Sequence, residues 1–507
     1  MQDKEAQHAF QKTVQLVPDD AESHYNLGVA LKNLGLLNDA VASYRRAIKI
    51  KPNYVEAHHN LGNALKDLMQ LKDAEASFRL ALKLDPNSAD SCSSLLLITN
   101  YTASLNPASY LAQARLYGQI VAKKIRSRFT AWKCTDDPKP LRVGVVSGDL
   151  REHSVGHFLK NLLRHIDPAR IELVAYPTQH KEDALSARIK PYFAAWKPLT
   201  GLNDEAAAQL IHGHGVHVLI DLSGHTSHNR LPLFAWKPAP VQFTWIGLPA
   251  TTGVAEMDYI LGDPVAIPVE DERHFSEQVW RLPESYLCFT PPDVAVEVSA
   301  LPALASGGVT FGSFNNLAKV SDRTVAVWAR ILLAVSGSRL FLKTKQLQDV
   351  TVLDATLKRF AAHGIEHERL MLDGFQAVQR TDHLAAYQRV DIALDPFPYP
   401  GVTTSVEALW MGVPVITLRG DRFLSRTADS IAHHAGLADW VAVDEEDYVS
   451  KAVFHAAHLE QLARLRAGLR QQVVASPLCD APRFARNFEA AVWGMWQAHQ
   501  ARKASSN

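Results

Sequence analysis

Three prolines set the first limit on the fold. Pro18, Pro52 and Pro86 stand 34 residues apart (52 − 18 and 86 − 52), and other positions keep the same interval. Leu27-Gly28 returns as Leu61-Gly62, Leu31 as Leu65, Ala40 as Ala74, Tyr44 as Phe78 and Ala47 as Ala81. A unit of this kind is a helical hairpin that cannot bury its apolar face alone, so copies must stack into an α-solenoid. Small residues sit where the two helices cross closely, an aromatic fills the gap to the next copy, and proline stops the second helix. Phe10 and Ala6 fit the second helix of an earlier copy. After Pro86 the match decays, with Leu95 kept but Leu96 in place of the glycine, so the array is expected over residues 1–100.

This is the tetratricopeptide signature. Asn26 and Asn60 share one repeat position on the first helix of each unit, the helix that lines the concave face in this architecture. An asparagine ladder there could bind peptide backbone at both amide ends; ordinary surface asparagine is the alternative. His24, His58 and His59 read as structural. A helical connector (101–140) then leads through Trp132 to the break at Pro138 and Pro140.

From Leu141 the pattern changes to short apolar runs that end in turn residues and alternate with helical segments, which is the grammar of a doubly wound α/β fold. LRVGVVSGDL, IELVAYPT, VHVLIDLSG, PVQFTWIG and DYILGDP form one set. After a stretch bearing proline, alanine and glycine (291–308) come VTFGSFNN, SRLFLKT, RLMLDGF, DIALDP, VPVITL and WVAV. Two Rossmann-like domains are therefore expected, at 141–300 and 301–482, and residues 483–507 begin as an amphipathic helix packed back across one of them.

Bulk properties remove several classes. A chain of 507 residues exceeds one core and suggests about three domains. Lys plus Arg and Asp plus Glu are 53 each, so no overall field recruits nucleic acid or an anionic membrane. The four cysteines lie far apart without a CxxC pair, against a disulfide framework or structural zinc. No apolar run approaches the roughly 20 residues of a membrane span, and the N-terminal MQDKEAQHAF is polar rather than signal-like. A reducing, cytoplasmic setting is expected.

Ligands of open α/β sheets sit beyond the carboxyl ends of strands, and three such loops carry chemistry. Residues 391–414, DIALDPFPYPGVTTSVEALWMGVP, read as a buried strand broken by three prolines, a pivot at Gly401 and a helix starting at Thr403, Thr404 or Ser405. A hydroxyl-capped helix start gathers unpaired amides and the positive dipole end, suiting phosphate, and Glu407 could accept a ribose diol. An ordinary strand-to-helix connection is the alternative. Residues 147–157, SGDLREHSVGH, offer Asp149 with His153 and His157 as a base or orienting group, a metal pair or plain helix caps. FGSFNNLAK places Asn316 and Lys319 past a strand end, where the lysine could neutralise a diphosphate or simply be solvated. Arg380 and His383 precede the strand at Asp391, where the imidazole could stack on a base or merely lie on the surface. His212, His214 and His217 (HGHGVH) read as a turn, and the acidic run at 444–447 as a solvated helix start.

Repeats followed by two Rossmann-like halves, carrying VSGDLREHSVGH, FGSFNNLAK and PGVTTSVEALWMGVP in that order, resemble the nucleocytoplasmic O-GlcNAc transferase family; the chain looks like a bacterial homologue. The resemblance implies a GT-B fold and an inverting, metal-independent transfer of GlcNAc from UDP-GlcNAc to Ser or Thr hydroxyls of protein acceptors, with no cofactor. By motif, His153 and Asp149 match the active-site histidine and a candidate proton relay, Lys319 the lysine on the diphosphate, and His383 the histidine that stacks on uracil. Thr403 and Thr404 match the paired threonines at the phosphates, Asn316 stands where the family has a nucleotide-contacting glutamine, and Glu407 replaces its ribose-binding aspartate. Where the animal enzymes read LCNGHTT this chain has Tyr399 and Val402, next to the expected sugar position, and residues 247–253, with Pro249, resemble the family's GYPGTSG loop beside sugar or acceptor. The long insert between the animal catalytic halves is missing. Sister branches use GDP-fucose or transfer hexose to asparagine, so another donor is an alternative reading, and a non-catalytic repeat scaffold is a second.

Overall fold

The structure is a computed structural model that describes residues 2–375 and 379–506; Met1, residues 376–378 and Asn507 lie outside the described residues. The chain divides into two compact units, Met1–Lys124 and Ile125–Asn507.

The first unit is helical: α1 (Gln2–Leu16), α2 (Ala21–Asn33), α3 (Leu37–Ile50), α4 (Val55–Asp67), α5 (Leu71–Leu84), α6 (Ala89–Thr102) and α7 (Pro107–Ala122). The repeat positions carry the packing as the period requires. Tyr44 and Phe78 are fully buried, and a Cβ on Gly28 or Gly62 would come within 2.6 Å of the Tyr44 or Phe78 ring. His24 and His58 each place Nε2 2.9 Å from the carbonyl of Pro18 or Pro52, so the proline turn is closed by a histidine one helix later. The unit extends past residue 100. The helix of the expected connector, α7, starts at an Asn106 cap, packs on α6 and belongs to this unit, whereas Ile125 begins the next.

The second unit holds two parallel sheets. Strands β1 (Leu141–Ser147), β2 (Ile171–Pro177), β3 (Ala195–Trp196), β4 (Val218–Asp221), β5 (Val241–Thr244), β6 (Tyr259–Gly262) and β7 (Gln278–Arg281) form one, in the order 3-2-1-4-5-6-7. Strands β8 (Thr310–Ser313), β9 (Arg339–Lys343), β10 (Leu370–Asp373), β11 (Ile392–Leu394), β12 (Val415–Leu418) and β13 (Val441–Ala442) form the other, in the order 10-9-8-11-12-13. The central strands are buried on both faces, which is why they read as continuous apolar runs. The edge strands β3 and β7 have no such run, and sequence reading passes over them.

The last helix, Ala481–Ser506, returns to the first sheet. Phe484 and Phe488 pack on Trp245 with ring centroids 6.2 and 5.1 Å apart, and Trp496 meets His217 edge-on at 5.1 Å. The HGHGVH histidines hold this corner: His212 stacks on Phe129 at 3.9 Å, His214 Nδ1 lies 2.9 Å from the Tyr176 hydroxyl, and His217 contacts the Arg142 amide and the Thr135 carbonyl. Asp444 caps the helix Glu445–Ala457 through the Asp447 amide. Among the described residues no helix is long and apolar enough to cross a membrane, and no group of three or more His, Cys, Asp or Glu is arranged to hold a metal ion.

Candidate active site

A cavity of about 700 Å³ opens between the carboxyl ends of the two sheets, lined by His157, Lys160 and Arg188 from the first half and by Lys343, Arg380 and His383 from the second, among others. Four of these six are Lys or Arg and two are His, an environment that favours a polyanionic ligand.

On the second half, β11 is followed directly by Asp395, a carboxylate only 2 % exposed. It accepts from the Gly401 amide at 3.1 Å and from the Ser405 hydroxyl at 3.0 Å on each oxygen, so it fastens the proline-rich turn to its own strand. Burial pushes its pKa up to about 6, against the hydrogen bonds and the charge of Lys319. The pivot has no room for a side chain: a Cβ on Gly401 would lie 2.4 Å from both the Ser405 and the Thr404 hydroxyl oxygens. The following helix is Thr403–Trp410, and its cap position is Val402, with no side-chain cap. The hydroxyl caps expected from the sequence are therefore absent, because each hydroxyl is spent elsewhere. Thr403 donates to Ser154 across the cleft at 2.9 Å, Thr404 donates to Asn315 Oδ1 at 3.2 Å, and Ser405 holds Asp395. The Gly401 amide is likewise taken, so the cradle's uncapped donors come from the helix's first turn.

Lys319 ends a short 3-10 turn, Leu317–Lys319. Its Nζ donates to the Pro400 carbonyl at 2.8 Å and sits 4.1 Å above the Tyr399 ring, which ties the two predicted segments together. Burial pushes the amine down to about 8, and Asp395 opposes that. Asn316 is exposed and caps the same turn, its side-chain oxygen accepting from the Ala318 amide and from Gln346, so that oxygen is used locally. Glu407 is 1 % exposed and has both oxygens engaged, one by Arg380 and the other by His383 Nε2 at 3.1 Å.

On the first half, α8 (Ser154–His165) follows β1, and His153 is its cap: the Val155 amide donates to His153 Nδ1 at 3.3 Å. Asp149 Oδ2 lies 3.6 Å from that same nitrogen, beyond a hydrogen bond, and Arg151 holds its other oxygen at 3.3 Å. Burial lowers the His153 pKa, the Asp149 charge raises it and Arg151 lowers it again. An imidazole that accepts at Nδ1 carries its proton on Nε2 when neutral, so the resting geometry makes His153 a cap first. His157 Nε2 lies 3.1 Å from Glu152, and burial with the Arg380 charge lowers its pKa. The loop holding Pro249 is anchored by Thr251 and Thr252 on Glu277, and Pro249 is partly exposed outside the cavity lining. Away from this site, the Asn60 amide donates to the Tyr25 hydroxyl at 2.9 Å, so one end of the expected ladder is occupied, and Asn26 is half-buried.

The structure thus joins Lys319, Tyr399, Gly401, Thr404 and Glu407 into one wall behind Thr403, Arg380 and His383, with His153 and His157 facing them. Sequence reading missed Asp395, Asn315 and Ser154 and offered Ser405 only as a helix start; a carboxylate closing an apolar strand just before a proline turn was the available signal for the first.

The sequence profile described as glycosyl transferase family 41 matches residues 119–290 and 289–488. The chain belongs to glycosyl transferase family 41. Tetratricopeptide profiles match residues 33–68 and 55–88. Among family members, the probable UDP-N-acetylglucosamine–peptide N-acetylglucosaminyltransferase SPINDLY of Arabidopsis thaliana is 37% identical over 381 residues, covering 74% of this chain and 42% of its own. The SPINDLY relative of rice is 38% identical over 384 residues, with 74% and 41% covered. The relative from Arabidopsis thaliana named SEC is 27% identical over 372 residues, with 71% and 38% covered. The chain spans about two fifths of the length of these curated relatives. The solved structure of a point mutant of the Thermobaculum terrenum O-GlcNAc transferase superposes with a TM-score of 0.90 at 34% identity, covering 98% of this chain and 94% of that one. The two-sheet region of this family 41 chain has the GT-B fold.

Proposed function

We propose that this chain is an inverting glycosyltransferase that moves GlcNAc from UDP-GlcNAc to Ser or Thr hydroxyls of protein acceptors without a metal, with the repeats binding acceptor polypeptide. The observation that carries the reading is the meeting, in one cleft, of Lys319, an uncapped helix start at Thr403 and the Arg380–His383–Glu407 group, opposite a histidine-capped helix. The names of the relatives point to the same donor and to peptide acceptors.

In the chemistry, the acceptor oxygen attacks the anomeric carbon as its bond to the UDP oxygen breaks, and the hydroxyl proton leaves to a base or to water. The barrier falls if the charge developing on the diphosphate meets preorganised donors. Lys319 and the first-turn amides of Thr403–Trp410 supply them. Proton removal through His153 requires the ring to release Val155 and to carry its proton on Nδ1, donated in a hydrogen bond to Asp149, instead of on Nε2, which is then free to accept.

The test is a calorimetric titration with UDP, UDP-GlcNAc and GDP, followed by a UDP-release assay with a Ser/Thr peptide. Binding of UDP and its sugar supports the reading. Binding of GDP alone transfers it to another donor, for which Tyr399, under the Lys319 amine, and Val402 are the specific departure. Failure to bind any of the three removes it.

A further inference from the structure

Lys319 brings a positive charge into a half-buried place, where its amine touches neutral groups: the Pro400 carbonyl at 2.8 Å and the Tyr399 ring at 4.1 Å. An ammonium withdrawn from water is costly unless a carboxylate matches it. Asp395 does so through a single peptide group. The carbonyl of the Pro400–Gly401 peptide accepts from Lys319, and the N–H of that same peptide donates to Asp395 Oδ1 at 3.1 Å. The peptide dipole thus turns its negative end to the ammonium and its positive end to the carboxylate, and both charges resist a flip of that peptide. Asp395 is itself held fast, with the Ser405 hydroxyl 3.0 Å from each of its oxygens and the Tyr448 hydroxyl donating to its backbone carbonyl. The other titratable groups around the pair leave this pairing intact. Burial holds the Tyr387 and Tyr448 phenols well above their ordinary pKa and hence neutral, Tyr399 lies under the amine, and Glu407 is matched by Arg380 and His383. The charge that opposes the effect of burial on Lys319 is Asp395.

We propose that Asp395 is a positioning residue that keeps Lys319 protonated and aimed at the diphosphate, acting through the Pro400–Gly401 peptide. The proposal rests on the nucleotide-sugar reading above and deepens it at the leaving-group end. Its test titrates UDP-GlcNAc into the full chain by calorimetry, for the wild type and Asp395→Asn. This ligand is a diphosphate diester without the second phosphate ionisation near pH ~6, so over roughly pH 6.5 to 9 the protein's own groups set the profile. Asparagine keeps an oxygen for the Gly401 amide and removes the charge. Wild-type affinity should fall as pH rises through about 8, where Lys319 loses its proton. In the variant the fall should begin about one pH unit lower, leaving it about tenfold weaker than wild type near pH ~9, since one pKa unit is a factor of ten. The two should converge toward the acid end, because the wild-type carboxyl protonates near about 6. Weakening by one factor at every pH, or no weakening, overturns the role. If Asp395→Asn does not fold, infrared spectroscopy of the ligand-free chain reads the same coupling from the other side. Lys319→Met should make the Asp395 carboxyl protonate at a higher pH than in the wild type, and an unchanged pH overturns the role. A wild type that binds no UDP-GlcNAc removes the nucleotide-sugar reading, and the infrared comparison then decides the pairing of Asp395 with Lys319 separately.

Discussion

The two halves of the cleft use the same local unit, a buried parallel strand, a short loop and a helix start, and fit it out in opposite ways. After β1 the helix start is closed by a side chain, His153, with Asp149 buried behind it and His157 lining the cleft. After β11 no side chain closes the helix; the loop is pinned from behind by Asp395, and what faces the cleft is backbone and hydroxyl. The first arrangement suits moving a proton, the second suits holding a charge that grows during reaction. Among the described residues the two loops touch through a hydroxyl contact, Thr403 to Ser154.

Several measurements can break or sharpen that contrast. The largest effect is expected on the charge-holding side: Lys319→Ala should lower turnover in a UDP-release assay by about 10²- to 10³-fold, the typical loss for a missing oxyanion-type donor. A rate near wild type would leave the amides alone in that task. Gly401→Ala places a methyl 2.4 Å from two hydroxyl oxygens and 2.8 Å from Asp395, without touching the histidine side. At about 1–3 kcal/mol for such overpacking, nucleotide affinity should fall roughly 5- to 150-fold, and unchanged affinity in a titration would mean the turn can give way. His153→Ala should cost only about tenfold in turnover, below the 10²–10⁴-fold of a committed general base, with nucleotide affinity kept.

The pH profile of kcat/KM separates the halves again. His153 has a lowered pKa, so its unprotonated form is already present at neutral pH and the acid limb lies below 6.5; Lys319 loses its proton as pH rises through about 8, which sets the alkaline limb. Lys319→Ala should abolish the alkaline limb alone. The smallest effect belongs to the tie: Ser154→Ala should change unfolding free energy by about 0.5–1.5 kcal/mol in a urea titration, the usual worth of one hydrogen bond. Excess chelator should leave turnover unchanged, and strong inhibition would bring a metal back into consideration.

Much of this architecture is legible in the residues alone. A 34-residue interval fixes helix crossings because Gly28 and Gly62 must admit an aromatic ring, and that requirement is written in the residues themselves. The eleven apolar runs became strands because buried parallel strands are apolar on both faces. What stayed hidden were relations between distant positions. Nothing local marks Ser154 as the partner of Thr403, 249 residues away, or says that the Thr404 hydroxyl goes to Asn315. The expected hydroxyl cap failed for the same reason, since composition supplies candidate donors but tertiary packing decides where each is spent. The repeat pattern fades at Leu96 while the helical stacking continues through α7 in the unit that ends at Lys124.

The return of helix Ala481–Ser506 to the first sheet sets an order of events during synthesis. β7 ends at Arg281, and the helix that covers Trp245 and Phe243 begins 200 residues later (481 − 281). At ribosomal speeds of about 5–20 residues per second, that aromatic face waits roughly 10–40 s for its cover. The first catalytic half is thus the first to begin and the last to finish. A nascent chain would hold a sticky, half-built lobe through the making of the other, which marks this interval as the time when a chaperone has most to do.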